Sequence, residues 1–193
     1  MSGSADNAAS VRVRVRTRAR PSDLESLRRL VAATGVFYPE ERAIALELLR
    51  ERLERGPKSG YEFIFADRHG ALVGYCAWGA VPLTKGSYDL YWIAVAPEAQ
   101  GLGIGRRLME LAERAVARRG GGRLYIETSS RAAYVRTRRF YRAGGYRRVA
   151  RLADFYAPGD HKVVFCKTIA RSSTATARPT GPAGRAYSSR ESR

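Results

Sequence analysis

The sequence predicts an α+β fold, a mixed sheet of seven strands carrying four helices. Three observations predict it. Apolar runs of strand length recur along the chain with turn residues between them. Other stretches place leucine and isoleucine at helical spacing behind plausible caps. Near the middle, a strand, a glycine-rich turn, a helix and a second strand follow one another, which is the order of a right-handed parallel crossover.

At 193 residues the chain suits one well-buried core, expected over 11–169, with a polar segment at 1–10 and a Ser/Thr/Ala/Arg/Pro/Gly-rich basic tail at 170–193, both expected to be disordered. The net charge of +17 is uneven. Residues 1–20 and 171–193 each carry five arginines against one acid, and Arg106 to Arg151 holds fourteen arginines against Glu110, Glu113 and Glu127. The excess therefore lies around and beyond the glycine-rich turn, where it suits a solvated basic surface, a polyanionic ligand or nucleic acid. Cys76 and Cys166 sit in apolar runs and read as small buried hydrophobes in a reducing, cytoplasmic setting. The first ten residues lack an apolar core, so no secretory signal is expected, and no run reaches membrane-spanning length.

Val11 to Arg16 alternates strictly and predicts a half-buried strand near a sheet edge, with valines on one face and arginines on the other. Ser22 and Glu25 suggest a capping box opening a helix with Leu24, Leu27, Leu30 and Val31 on one face, ended by Gly35. Pro39, Glu40 and Glu41 suit the first turn of a second helix, with Ile44, Leu48, Leu49 and Leu53 inward, ending near Gly56-Pro57. Strands follow at about Tyr61 to Ala66, Leu72 to Trp78 and Tyr88 to Val95. His69 reads as a surface turn residue, and so does His161; with no third ligand type nearby, no metal site is expected. Ile104, Leu108, Leu111, Ala112 and Ala115 mark a third helix, Arg123 to Thr128 a strand, and Ala133 to Ala143 a fourth helix. Strands near Tyr146 to Phe155 and Lys162 to Ile169 should pair through Ala157-Pro158-Gly159-Asp160.

The segment Gln100-Gly101-Leu102-Gly103-Ile104-Gly105 before an arginine-rich helix is a phosphate cradle: alternating glycines let successive N–H groups converge on an anion at the positive helix end. A P-loop needs Lys then Ser or Thr after its last glycine, and Arg106-Arg107 stand there. A dinucleotide loop needs a small residue at position 106 and a glycine turn tight against its strand, whereas Ala96 to Gln100, with Pro97, intervene, although Glu127 imitates the ribose-binding acid. A plain glycine-rich turn capping a helix fits the same residues.

Ile93-Ala94-Val95, Pro97, Gln100 and the alternating glycines, followed by Phe140-Tyr141-Arg142-Ala143-Gly144-Gly145-Tyr146, resemble the GNAT superfamily of acyl-CoA N-acyltransferases, in element order over about residues 11 to 169. The resemblance implies that the fourth and fifth strands are parallel and splayed, with acetyl-CoA in the opening. Its pantetheine arm would pair with backbone near Ile93, Ala94 and Val95, and Gln100, Gly101, Leu102, Gly103, Ile104, Gly105 and Arg106 would hold the pyrophosphate. By the same resemblance Tyr141 is the general acid for the leaving sulfur.

Acyl transfer to an amine also needs a base, and Glu127 and Asp89 lie on strands flanking the expected cleft. A salt bridge to one of many arginines is the plainer reading of each. Thr128, Ser129 and Ser130 suggest hydroxyl contacts to substrate or pantetheine, or helix caps. Tyr88, Tyr91, Trp92 and Tyr125, with Phe37 and Tyr38, interleave with these acids and suit a small primary amine or a peptide amino terminus. The reading is an acetyl-CoA-dependent N-acetyltransferase, monomer or homodimer. Its rivals are an acyl-CoA-binding regulatory module without transfer and a basic nucleic-acid-binding protein; the arginines lack a recognition motif, which argues against nucleic acid.

Overall fold

A computed structural model describes residues 13–172. The expectations for 1–10, for Val11 and Arg12, and for the tail beyond Ser172 fall outside these residues. The elements are β1 (Arg14–Arg16), α1 (Asp23–Ala33), α2 (Pro39–Arg55), β2 (Glu62–Arg68), β3 (Ala71–Ala80), β4 (Ser87–Val95), α3 (Ile104–Arg118), β5 (Gly122–Ser129), α4 (Val135–Ala143), β6 (Arg147–Ala157) and β7 (Asp160–Ile169). Short 3-10 turns stand at Gly56–Ser59, Pro97–Ala99 and Ala132–Tyr134. One sheet runs in the order β1-β2-β3-β4-β5-β7-β6, antiparallel throughout except between β4 and β5. No helix among the described residues is long and apolar enough to cross a membrane.

β1 is the edge strand the alternation predicted, but its arginine face is not simply solvated. Arg16 lies over the Phe65 ring at 4.3 Å and donates to both Asp67 (2.7 Å) and Asp23 (2.7 and 2.8 Å). Asp23 also accepts the Arg20 N–H at 2.8 Å. This is why the expected Ser22–Glu25 capping box is not formed: the buried Asp23 carboxylate ties down the turn before α1, and Glu25 binds Arg28 and Arg29 instead. In α1, Leu27, Leu30 and Val31 are buried as their spacing required. In α2, Ala45 and Leu49 are buried while Ile44 points outward, half exposed, one position away from the inward stripe drawn for it. Glu41 accepts the Tyr38 N–H at 2.7 Å and so closes the first turn of α2.

The parallel pair begins at a close backbone approach. Gly122 has φ +140°, Gly86 O accepts the Arg123 N–H at 2.8 Å, and a Cβ on Gly122 would lie 1.9 Å from Gly86 O. From that contact Ser87 pairs with Arg123 and the register runs on to Leu90 with Ile126. At the far end of the fold Ser172 N–H still donates to Ala117 O at 3.0 Å.

Gly122→Ala is expected to destabilise by about 3 kcal/mol or more, lowering Tm by roughly 6–12 °C, because backbone must move as well as strain. Gly120→Ala, with φ +109° but open space around it, should cost only about 1 kcal/mol. Equal losses in thermal melts would show that the Gly86 contact is unimportant.

Candidate functional site

The site begins with a bulge. Ala77 pairs with Trp92 and Trp78 with Leu90, so Tyr91 is an extra residue on β4. A bulge bends its strand and puts two consecutive side chains on one face. Trp92 packs on Phe37 between α1 and α2, with ring centroids 5.2 Å apart, and Tyr91 meets Tyr61 edge-on at 5.3 Å. The β4–β5 pairing stops at Leu90 and Ile126, just where the bulge starts, although β4 continues to Val95 and β5 to Ser129. The two parallel strands therefore separate, leaving the β4 edge from Tyr91 through Ile93, Ala94 and Val95 unpaired toward β5.

At the end of that opening lies the glycine loop. Gly101 and Gly103 take left-handed φ values of +80° and +75°. Gln100 Nε2 donates to Val95 O at 3.2 Å and folds the loop onto the strand end. Gln100 N–H donates to Pro97 O and Arg107 N–H to Gly103 O, but the six N–H groups from Gly101 to Arg106 find no acceptor among the described residues. Six free donors at the positive end of a 15-residue helix suit a diphosphate. Ile104 is buried under the loop and Leu102 is exposed, so both serve here through their backbone. The Arg106 side chain, expected on the pyrophosphate, is 82% exposed and paired with Glu110 at 3.0 Å, within reach of an anion at the loop.

Tyr141 lies on the sheet face opposite Asp89. Its ring is 5.7 Å from Phe165, and Phe165 pairs with Ile126. Burial pushes its hydroxyl pKa well up. Phe140 is half buried beside Gly105, while Tyr141 goes deeper. Tyr141, Phe140, Arg106 and Met109 line a cavity of about 360 Å³ between α3 and α4. Its end is closed by Glu113, which accepts from Tyr146 (3.0 Å) and Lys167 (2.7 Å).

Asp89, Tyr91, Trp92, Tyr125 and Glu127 share the α1/α2 face. Asp89 pairs with Tyr125, and Glu127 follows two residues later. Asp89 is partly buried and has no hydrogen bond or ion pair among the described residues. Burial raises its pKa, and the Glu127 charge raises it further. Glu127 is in an ion pair at 2.7 Å with Lys162, a lysine where an arginine was expected. Tyr88 departs from the expected aromatic lining, because strand alternation turns it to the other face, against Trp78 at 6.1 Å. Ser129 donates to Asp160 at 2.5 Å and Ser130 accepts the His161 N–H at 2.9 Å, so both hold the β5 exit to β7. Thr128 is 6% exposed and its hydroxyl has no partner among the described residues.

Four residues of this face carried no sequence signal. Arg131 pairs with Asp160 at 3.3 Å, reaches Glu41 at 4.0 Å and lies 4.1 Å over the Tyr38 ring. Beneath it Tyr134 has its hydroxyl pKa pushed up to about 12, chiefly by burial. Lys162 covers the Phe155 ring at 4.0 Å. Tyr156, half exposed at the β6–β7 tip, is pushed up to about 12 by burial and by Glu127, Asp160 and Glu41. His161 is no free turn residue: its Nδ1 accepts the Asp154 N–H at 2.8 Å. His69 does stand in an exposed turn. Cys76 is buried, its thiol pushed up to about 12, while Cys166 is only partly covered. Among the described residues no cluster of three or more His, Cys, Asp or Glu is placed to hold a metal.

The family model described as "Acetyltransferase (GNAT) family" matches residues 24–146. The chain belongs to this family. A GNAT-family protein of known structure from Desulfovibrio desulfuricans is 42% identical, with a TM-score of 0.80 over 82% of this chain and 100% of that one. An aminoglycoside 6′-N-acetyltransferase in complex with coenzyme A shares the fold (TM-score 0.66, 23% identity, 86% of this chain, 99% of that one). Mycothiol acetyltransferase of Streptomyces bingchenggensis is 32% identical over 51% of this chain and 32% of its own length. The chain thus matches only about a third of that curated relative.

Thr128→Val should stabilise the unliganded protein by about 1 kcal/mol, since it removes a buried hydroxyl that lacks a partner. A urea titration that shows a loss of that size would mean the hydroxyl is bonded.

Proposed function

We propose that this GNAT protein transfers an acetyl group from acetyl-CoA directly to a primary amine. The observation that carries the reading is the opening between β4 and β5, with unbonded N–H groups at its end and an unpartnered carboxylate, Asp89, on one face and the Tyr141 hydroxyl on the other. Acetyl-CoA, as a substrate, supplies the thioester. The N–H groups of Gly101 to Arg106 would hold its diphosphate and the open edge at Ile93, Ala94 and Val95 its pantetheine amides. The cavity beside Tyr141 is of ligand size.

On the α1/α2 face Asp89 accepts the proton of the incoming amine, directly or through a water, so that the neutral nitrogen attacks. Asp89 is favoured over Glu127 because Glu127 is already bound to Lys162. As the tetrahedral intermediate collapses, Tyr141, kept protonated by its burial, gives its proton to the departing sulfur. The mycothiol acetyltransferase relatives match too little of their length to name this acceptor.

Free-thiol release from acetyl-CoA with a panel of amines tests the reading; acyl-CoA binding without release from any amine would favour a regulatory module. Tyr141→Phe should lower kcat at least roughly tenfold while the Kd for acetyl-CoA changes less than about twofold.

The pH profile tests the base. A base works deprotonated, so activity falls as pH drops through the Asp89 pKa, and because that pKa is raised the acid limb of kcat/KM should lie above the usual value of about 3.9. Asp89→Asn should remove the limb; a limb that survives would assign the base elsewhere.

A further inference from the structure

The face that receives the amine is unlike the rest of this basic chain. Four carboxylates stand on it, Asp89, Glu127, Glu41 and Asp160, with Lys162 and Arg131 paired among them and Arg138 near Asp160 but bonded to the Ser129 and Arg131 carbonyls. Lys162 and Arg131 are both engaged with acids and rings. Lys162 holds Glu127 at 2.7 Å and lies over Phe155; Arg131 holds Asp160 at 3.3 Å, reaches Glu41 and lies over Tyr38. What remains uncommitted is negative: Asp89, with no hydrogen bond or ion pair among the described residues, and the second oxygen of Glu127, which is half exposed and holds Lys162 through the other. The same face carries two ring pairs, Tyr91 edge-on to Tyr61 and Trp92 on Phe37.

We infer that the acceptor carries a second cationic nitrogen a short alkyl chain away from the amine that is acetylated. This rests on the transfer reading above. An acceptor bearing a carboxylate meets Asp89 and Glu127 as like charges, while Lys162 and Arg131, the cations paired with this face's acids, already hold carboxylates. An acceptor with an apolar end leaves the second carboxylate unused. A diamine places its reacting nitrogen at Asp89 and its other ammonium by the second Glu127 oxygen and the half-exposed ring of Tyr156, beside Lys162 on Phe155. Glu127 follows the Asp89–Tyr125 pair by two residues, so the two backbones are roughly 8 Å apart, a span that a four-carbon chain with two side chains reaching toward it covers. In a chain of net charge +17 this is also where a dication escapes repulsion.

Three amines of matched length separate the cases: 1,4-diaminobutane, 1-aminobutane and 5-aminopentanoate, each with acetyl-CoA and the full chain, read as kcat/KM by free-thiol release. The diamine should exceed the monoamine roughly tenfold, with the aminopentanoate below both. High salt should shrink the diamine advantage, and Glu127→Gln should narrow it at least roughly threefold. A monoamine or aminopentanoate that equals or exceeds the diamine overturns this inference and leaves transfer standing. Acetyl-CoA binding without thiol release from any amine overturns both.

Discussion

The constraint on which the rest depends is the extra residue at Tyr91. A parallel pair that started cleanly at Gly86 and Gly122 would close along its whole length if both strands kept their period of two. The bulge breaks that period on one strand alone. Past Leu90 the backbone groups of β4 that should meet β5 have no strand opposite them, and unpaired backbone in a sheet centre is expensive unless water or a ligand takes its place. The opening is thus a consequence of geometry that a ligand's amide groups can repair. The same shift puts Tyr91 and Trp92 together on the α1/α2 face, which is why that face is ring-lined beside Asp89.

Much of this was legible in the sequence because periodicity reports burial directly. The strands and helices fall where alternation and helical spacing put them, and the glycine spacing located the loop. One local reading, the Ser22 cap, failed through competition from a distant residue. Ser22 lost its capping role because Asp23 is fixed by Arg16, a residue on another element, and that contact also brings Asp67 from β2. In α2 the buried stripe runs through Ala45 and Leu49, one position on from Ile44.

The face that carries Asp89 was half legible. Asp89, Tyr91 and Trp92 sit on one strand, so their neighbourhood follows from the chain itself. Arg131, Lys162 and Tyr156 arrive from the β5 exit and the β6–β7 hairpin, and no spacing rule links them to β4. The insertion of β7 between β5 and β6 is what delivers them, since it sets Lys162 beside Ser129 and so within reach of Glu127. The choice between Glu127 and Asp89 as free carboxylate is decided by that strand order.

Charge follows the same division. Of the fourteen arginines from Arg106 to Arg151, only Arg106, Arg119 and Arg131 form ion pairs among the described residues. Arg107 and Arg114 on α3 and Arg136, Arg139 and Arg142 on α4 face no carboxylate partner there, and these helices flank the loop whose N–H groups are free. Unneutralised cations repel one another at a cost to stability, a cost that an anionic ligand relieves on binding. Across the sheet Lys162 and Arg131 are paired with acids while the Asp89 carboxylate is not. On the proposed reading the sheet separates an anionic donor from a cationic acceptor, and the gap between β4 and β5 is the one place where the two meet.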